Sequence, residues 1–177
     1  MNLFRILVLL TCFILTACMG VPDNVKVIEK VDANQYLGTW YEIARLDQSF
    51  ERGLEKISAT YSLKDDGGIK VLNRGFNVAK NEWKEAEGKA YFVDAPNADK
   101  TNTGKLKVSF FGPFYGAYNI IALDANYQDV MICGPDKSYL WILSRTPQLA
   151  EPIKQELIAQ AKAYGFATEK LIYVKHE

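Results

Sequence analysis

Few side chains in this chain of 177 residues have the type and spacing to do chemistry, and they argue against catalysis. His176 is the only histidine and stands next to the carboxyl end, so neither a Ser-His-Asp relay nor a metal cluster of ordinary ligand spacing can be assembled around it. No metal site and no cofactor are expected. Cys133 lies in the apolar run Val130-Met131-Ile132-Cys133, where a free thiol acts as a small hydrophobe more readily than as a nucleophile. Glu42 falls two residues after Trp40, on the face of a strand that alternation turns inward. A buried carboxylate with a raised pKa is a candidate acid or base, but satisfaction by polar neighbours near the closed end, beside Trp40, is the simpler reading. No residue is assigned a catalytic role.

The elements that hold these groups begin after a leader. Arg5 followed by the apolar run Ile6 to Ala17 has the basic start and short hydrophobic core of a secretory signal peptide, expected over 1–17 and too short to stay as a spanning helix. The run closes on Leu15-Thr16-Ala17-Cys18, which resembles the bacterial lipobox. That resemblance implies a thioether-linked diacylglycerol and an amide-linked fatty acyl chain, such as palmitate, on Cys18. Three chains anchor firmly, since stable attachment takes two signals. Met19 in place of an aspartate points, by the same resemblance, to the outer membrane, facing the periplasm. Residues 18–31 are then a lipidated tether, and 32–177 a single domain of a size that can bury a core. Lys and Arg, 21 together, balance 21 Asp and Glu with no basic cluster, so nucleic acid is not an expected partner.

Asp32 to Gly38 reads as one or two helical turns, with Asp32 as N-cap, Gln35 as its capping-box partner and Gly38 as the stop. From there short alternating runs separated by turn residues predict strands at about 39–46, 57–64, 69–76, 83–93, 105–111, 117–123, 129–134 and 139–145. Eight such strands with short connections form a sandwich or a closed barrel, and a barrel of that size can hold one small ligand. Ile153, Leu157, Ala161 and Tyr164 recur at helical spacing within 149–164, a helix whose apolar stripe should pack on the barrel wall. Leu171 to Val174 suggests a last short strand.

Gly38-Thr39-Trp40 at the first strand, Ala125-Asn126-Tyr127 between the sixth and seventh, and Arg145 ending the eighth together resemble the lipocalin family, and the bacterial outer-membrane lipocalin lipoproteins in particular. In the middle match only Tyr127 is identical to the family's Thr-Asp-Tyr. The resemblance implies an all-β fold, an eight-stranded antiparallel up-and-down barrel with a short N-terminal helix and a C-terminal amphipathic helix. In an up-and-down arrangement all three matches meet at one end, where Arg145 over the Trp40 indole, beside Gly38, would close the barrel.

The other end should be open, rimmed by loops near 46–55, 77–82, 112–116 and 134–138. Phe110-Phe111-Gly112-Pro113-Phe114-Tyr115-Gly116 places aromatics at that entrance, for lipid entry, membrane contact or a homodimer interface, or as simple completion of the core. Counting by twos from Trp40 and taking the more apolar face of each later strand predicts a lining that includes Ala44, Ala59, Tyr61, Ile69, Val71, Gly88, Ala90, Phe92, Leu106, Val108, Phe110, Tyr118, Ile120, Met131, Cys133, Tyr139 and Trp141. Ala59, Val71, Gly88, Ala90, Val108, Phe110, Tyr118, Met131, Tyr139 and Trp141 are the candidate ligand contacts. No inward Lys or Arg is expected. Such a lining suits a fatty acid or a lysophospholipid, with tyrosine hydroxyls for its polar head. The function expected is storage or transfer of that lipid in envelope maintenance. The alternatives are a lipid-modifying enzyme and a structural lipoprotein with a filled barrel.

Overall fold

The computed structural model describes residues 20–177, so the leader, Cys18 and Met19 lie outside the described residues. Helix α1 (Ala33–Tyr36) leads into β1 (Gly38–Arg45), β2 (Leu54–Leu63), β3 (Ile69–Asn77), β4 (Glu82–Phe92), β5 (Lys105–Phe111), β6 (Phe114–Leu123), β7 (Asp129–Cys133) and β8 (Leu140–Ser144). Each strand pairs antiparallel with the next, and β1 pairs with both β2 and β8, which closes an eight-stranded barrel. Helix α2 (Glu151–Ala163), a 3₁₀ turn at Thr168–Lys170 and a short β9 (Ile172–Tyr173) follow.

Local chemistry explains the ends of these elements. The Asp32 carboxylate accepts from the Asn34 and Gln35 amides of α1, and Gln35 Nε2 returns to the same carboxylate at 3.2 Å. Helix α2 starts with a proline in its first turn and ends before Gly165, whose φ of +84° is the usual left-handed stop. The stripe on α2 is narrower than its spacing suggests: Leu157 and Ala161 are buried, whereas Ile153 in the first turn stays exposed.

Two apolar clusters lie on the two faces of the barrel wall. One fills the interior around Trp40, Tyr61, Val71, Ala90, Leu106, Ile120, Val130, Ile132 and Leu143. The other lies outside, where Leu157, Ala161 and Phe166 cover Ile43, Ala44, Met131, Cys133, Leu140 and Ile142. This corrects the expected inward placement of Ala44, Met131 and Cys133. Every residue of β7 is buried, because α2 covers its outer face; a strand apolar on both faces carries no alternation to read. Ala44 is displaced by a bulge, since the β1–β8 register shifts between Glu42 and Ala44 and turns the residues beyond it over.

The terminal segments complete the wall. The β1–β2 ladder runs only from Gly38–Tyr41 against Tyr61–Ser58; beyond it β9 pairs with Ala44 and Arg45, and the Lys56 amide donates to the Lys175 carbonyl at 2.7 Å. At the other terminus Val31 bridges to Asn102, Ile28 donates to the Ile120 carbonyl, and Val25 packs in the outer cluster. Residues 20–31 thus lie against the barrel rather than trailing from it. Met131→Ala should empty space beneath α2 and cost about 2–5 kcal/mol of stability in chemical denaturation, and an unchanged midpoint would refute its packing there.

Candidate ligand-binding site

One end of the barrel is closed by Arg145. Its guanidinium lies 3.8 Å from the Trp40 ring centroid and donates from Nε to the Tyr127 carbonyl, from Nη1 to that of Thr39 and from Nη2 to that of Gln35, at 2.7–3.1 Å. Trp40 Nε1 donates to the Tyr36 carbonyl, and the Asp32 amide donates to the Tyr127 hydroxyl, so α1, β1 and the β6–β7 turn are tied to one point. Gly38 is required there: its φ is +93°, and a Cβ would stand 3.3 Å from Arg145 Nη1.

Above this floor the interior is largely apolar, broken by a tyrosine layer and by Asn73 on the face of Val71, whose Oδ1 is buried without a partner among the described residues. The Tyr118 hydroxyl lies 2.6 Å from that of Tyr36 and 3.0 Å from that of Tyr61, so the three satisfy one another, and burial pushes the Tyr61 phenol up to about 12. Tyr36, Tyr61, Ile69, Val71, Ala90, Leu106, Val108 and Tyr118 enclose a cavity of about 10 Å³, room for about one water. Ala59, Phe110 and Trp141 also pack on the interior cluster, and Phe110 lies over Gly88, where a Cβ would meet its ring at 2.8 Å. Tyr139 stands in the β7–β8 connection, its ring 6.1 Å from that of Trp141. Toward the mouth the cup widens. A Cβ on Gly116, which pairs with Val108, would meet nothing within 4 Å, and Glu82, Lys84 and Ala86 on the inner face of β4 are exposed.

The mouth holds a buried ionic cluster of which the sequence pointed only to Glu42, expected near the closed end and found instead with Arg45 and Glu51. Arg45 is buried and donates from Nη1 to Glu42 Oε1 at 2.9 Å and from Nη2 to the Glu51 carbonyl at 3.1 Å. Its Nε is 3.7 Å from Glu51 Oε2, too long for a hydrogen bond, and has no partner among the described residues. Trp141 Nε1 donates to the same Glu51 oxygen at 3.1 Å. An inward arginine is therefore present, against expectation, because the bulge that turns Ala44 outward turns Arg45 inward; Lys84 on the inner face of β4 departs from the same expectation. The signal was the doublet Ile43-Ala44, two apolar residues in succession between Glu42 and Arg45.

Residues 31–176 match the family model described as a lipocalin-like domain. The chain is a lipocalin. It is 54% identical over 165 residues to the outer membrane lipoprotein Blc of Citrobacter freundii, covering 92% of this chain and 90% of that protein. The protein of the same name from Vibrio cholerae serotype O1 is 50% identical over 173 residues, covering 97% and 98%. Temperature-induced lipocalin-1 of Arabidopsis thaliana is 36% identical over 162 residues, with coverage of 86% and 83%. Among solved structures, insecticyanin of Manduca sexta shares the fold at a TM-score of 0.68 and 23% identity, over 89% of this chain and 87% of that one.

Electrostatics at the mouth of this lipocalin are set by two carboxylates around one guanidinium. Burial first, and then the Glu51 charge, raise the Glu42 pKa well above its ordinary 4.5 against the pull of Arg45; burial also raises Glu51. The fold therefore favours a proton on Glu42. The stability this contributes is complete below pH 4.5 and is lost as pH rises through the raised value. Glu42→Gln removes that titration while keeping an acceptor for Arg45. Its melting temperature should gain on the wild type progressively as pH rises above 4.5, and a constant difference across pH would refute the assignment.

Proposed function

We propose that this protein is an outer-membrane lipocalin lipoprotein, facing the periplasm, that holds a single-chain lipid in its barrel and stores or transfers it during envelope maintenance. The observation that carries the reading is the distribution of polarity: an apolar cup with a self-satisfied tyrosine layer near its floor and one incompletely bonded guanidinium at its mouth. An amphiphile with one tail and one charged head matches that distribution, and a fatty acid or a lysophospholipid has that form. Ala59, Val71, Gly88, Ala90, Val108, Phe110, Tyr118, Tyr139 and Trp141 are assigned to the tail and its head-proximal carbons, and Arg45 Nε to a carboxylate or phosphate oxygen at the mouth. The names of the bacterial relatives support the location, and Cys18 is the residue assigned to carry the acyl anchor.

Lipid extracted from the purified protein and identified by mass spectrometry tests the reading directly. A fatty acid or lysophospholipid should be recovered unaltered; turnover of added lipid would support an enzyme instead, and neither co-purification nor uptake would support a filled structural barrel. Gly116→Phe should fold normally, since its side chain enters open space, and should lower uptake at least about tenfold by occupying the cup, a loss of about 1.4 kcal/mol. Cys18→Ser should shift the protein from the membrane fraction to the soluble one, and full retention would sink the acyl anchor.

A further inference from the structure

Three of the four connections at the open end share a property that a ligand site does not need. Phe50 in the β1–β2 connection is 64% exposed, and Phe111 and Phe114, flanking the β5–β6 turn, are 83% and 67% exposed. Val78 beyond β3 and Trp83 at the start of β4 add exposed apolar surface at the same end. Solvent-facing aromatics on separate loop tips contribute little to the fold, and a cluster of them marks a surface that meets something.

The fourth connection, between β7 and β8, points to what that is. Asn119 Nδ2 donates both to the Gly134 carbonyl, where this connection begins, and to the Gly20 carbonyl, each at 3.1 Å. Gly20 is therefore held beside the open-end loops. Cys18 is two residues away, and two residues span at most about 7 Å. An acyl anchor on Cys18 would bring the bilayer to this side of the barrel mouth and not to the Arg145 floor.

We infer that the open rim is the membrane-docking face of this lipocalin, with Phe50, Phe111 and Phe114 seated in the lipid interface and the mouth opening onto the bilayer. Phenylalanine, like tryptophan and leucine, buries its apolar surface at the boundary of headgroups and acyl chains. The loops carry Asp47, Glu51 and Asp136 against Arg52, Lys80 and Lys137, so apolar side chains rather than a basic patch carry the contact. The inference rests on the acylation of Cys18 proposed above, and it gives the cup a route for a lipid tail to pass from bilayer to barrel without crossing water.

The test uses the full chain in vesicles of phosphatidylethanolamine and phosphatidylglycerol, with a spin label on Phe111→Cys, Phe114→Cys or, at the closed end, Leu63→Cys, a position that is 57% exposed. Cys133 is buried, and burial pushes its thiol up to about 12, so the label goes to the new cysteine. Labels at 111 and 114 should collide more with oxygen than with an aqueous nickel chelate, and the label at 63 should do the reverse. Equal water access at all three positions would overturn the inference. So would shielding at 111 and 114 accompanied by spin–spin broadening, which would mean a second copy covers the rim. Uptake of label by the wild-type chain would expose a free Cys18 and defeat the acylation reading separately. In that event Cys18→Ser forms of the labelled chains are added to preformed vesicles, where shielding of the rim positions alone sustains the docking face and its absence overturns it.

Discussion

The guanidinium of Arg145 on the indole of Trp40 is the contact on which the rest of this barrel depends. A closed sheet has no edge, but it has two ends, and an end left open over apolar side chains would admit water to the core. Arg145 solves this by stacking on the ring, for about 0.5–2 kcal/mol, while its donors satisfy carbonyls from α1, β1 and the β6–β7 turn. Those carbonyls come from two distant parts of the chain, 35–39 and Tyr127, so their positions are fixed together. Lysine could not replace it, because a point charge cannot stack flat and reach three acceptors in a plane.

With one end sealed, the opposite end is free to carry function, and its chemistry comes from a departure in regularity. The bulge in β1 turns Ala44 out to the helix α2 and Arg45 in to the mouth. A guanidinium in an apolar cup is costly unless bonded, and Glu42, the Glu51 carbonyl and the Glu51 carboxylate divide that task imperfectly. Arg45 Nε is left short of a partner, buried 3.7 Å from Glu51 Oε2. On the other edge of β1 the pairing with β2 ends at Tyr41, and β9 pairs with Ala44 and Arg45 beyond it.

The fold was legible because its signals are local and repeated. Alternation located every strand to within a few residues, Asp32 with Gln35 marked α1, and Gly38, Trp40, Tyr127 and Arg145 marked the closed end. The site was legible only in part. On β2 to β6, where the outer face is largely polar, alternation separated inside from outside, and Ala59, Val71, Ala90, Val108 and Tyr118 lie on the interior as their period implies. On β7 it failed: Met131 and Ile132 are equally apolar, and the element that decides between them, α2, arrives some twenty residues later in the chain. Phe111 and Phe114 were ambiguous for a related reason, since an aromatic residue at a strand end is compatible with either core or surface.

What the sequence by itself determined is therefore the container: strand number, the floor residues, the covering helix and the balance of charge, each set by residue type and period over a few neighbours. Only the tertiary structure decided which face of β7 meets the interior, that Arg45 enters the cup with Glu42 and Glu51 around it, and that Gly20 ends beside the open rim. Inside and outside are properties of a closed surface, and a strand covered on both faces or broken by a bulge learns its side only from what packs against it.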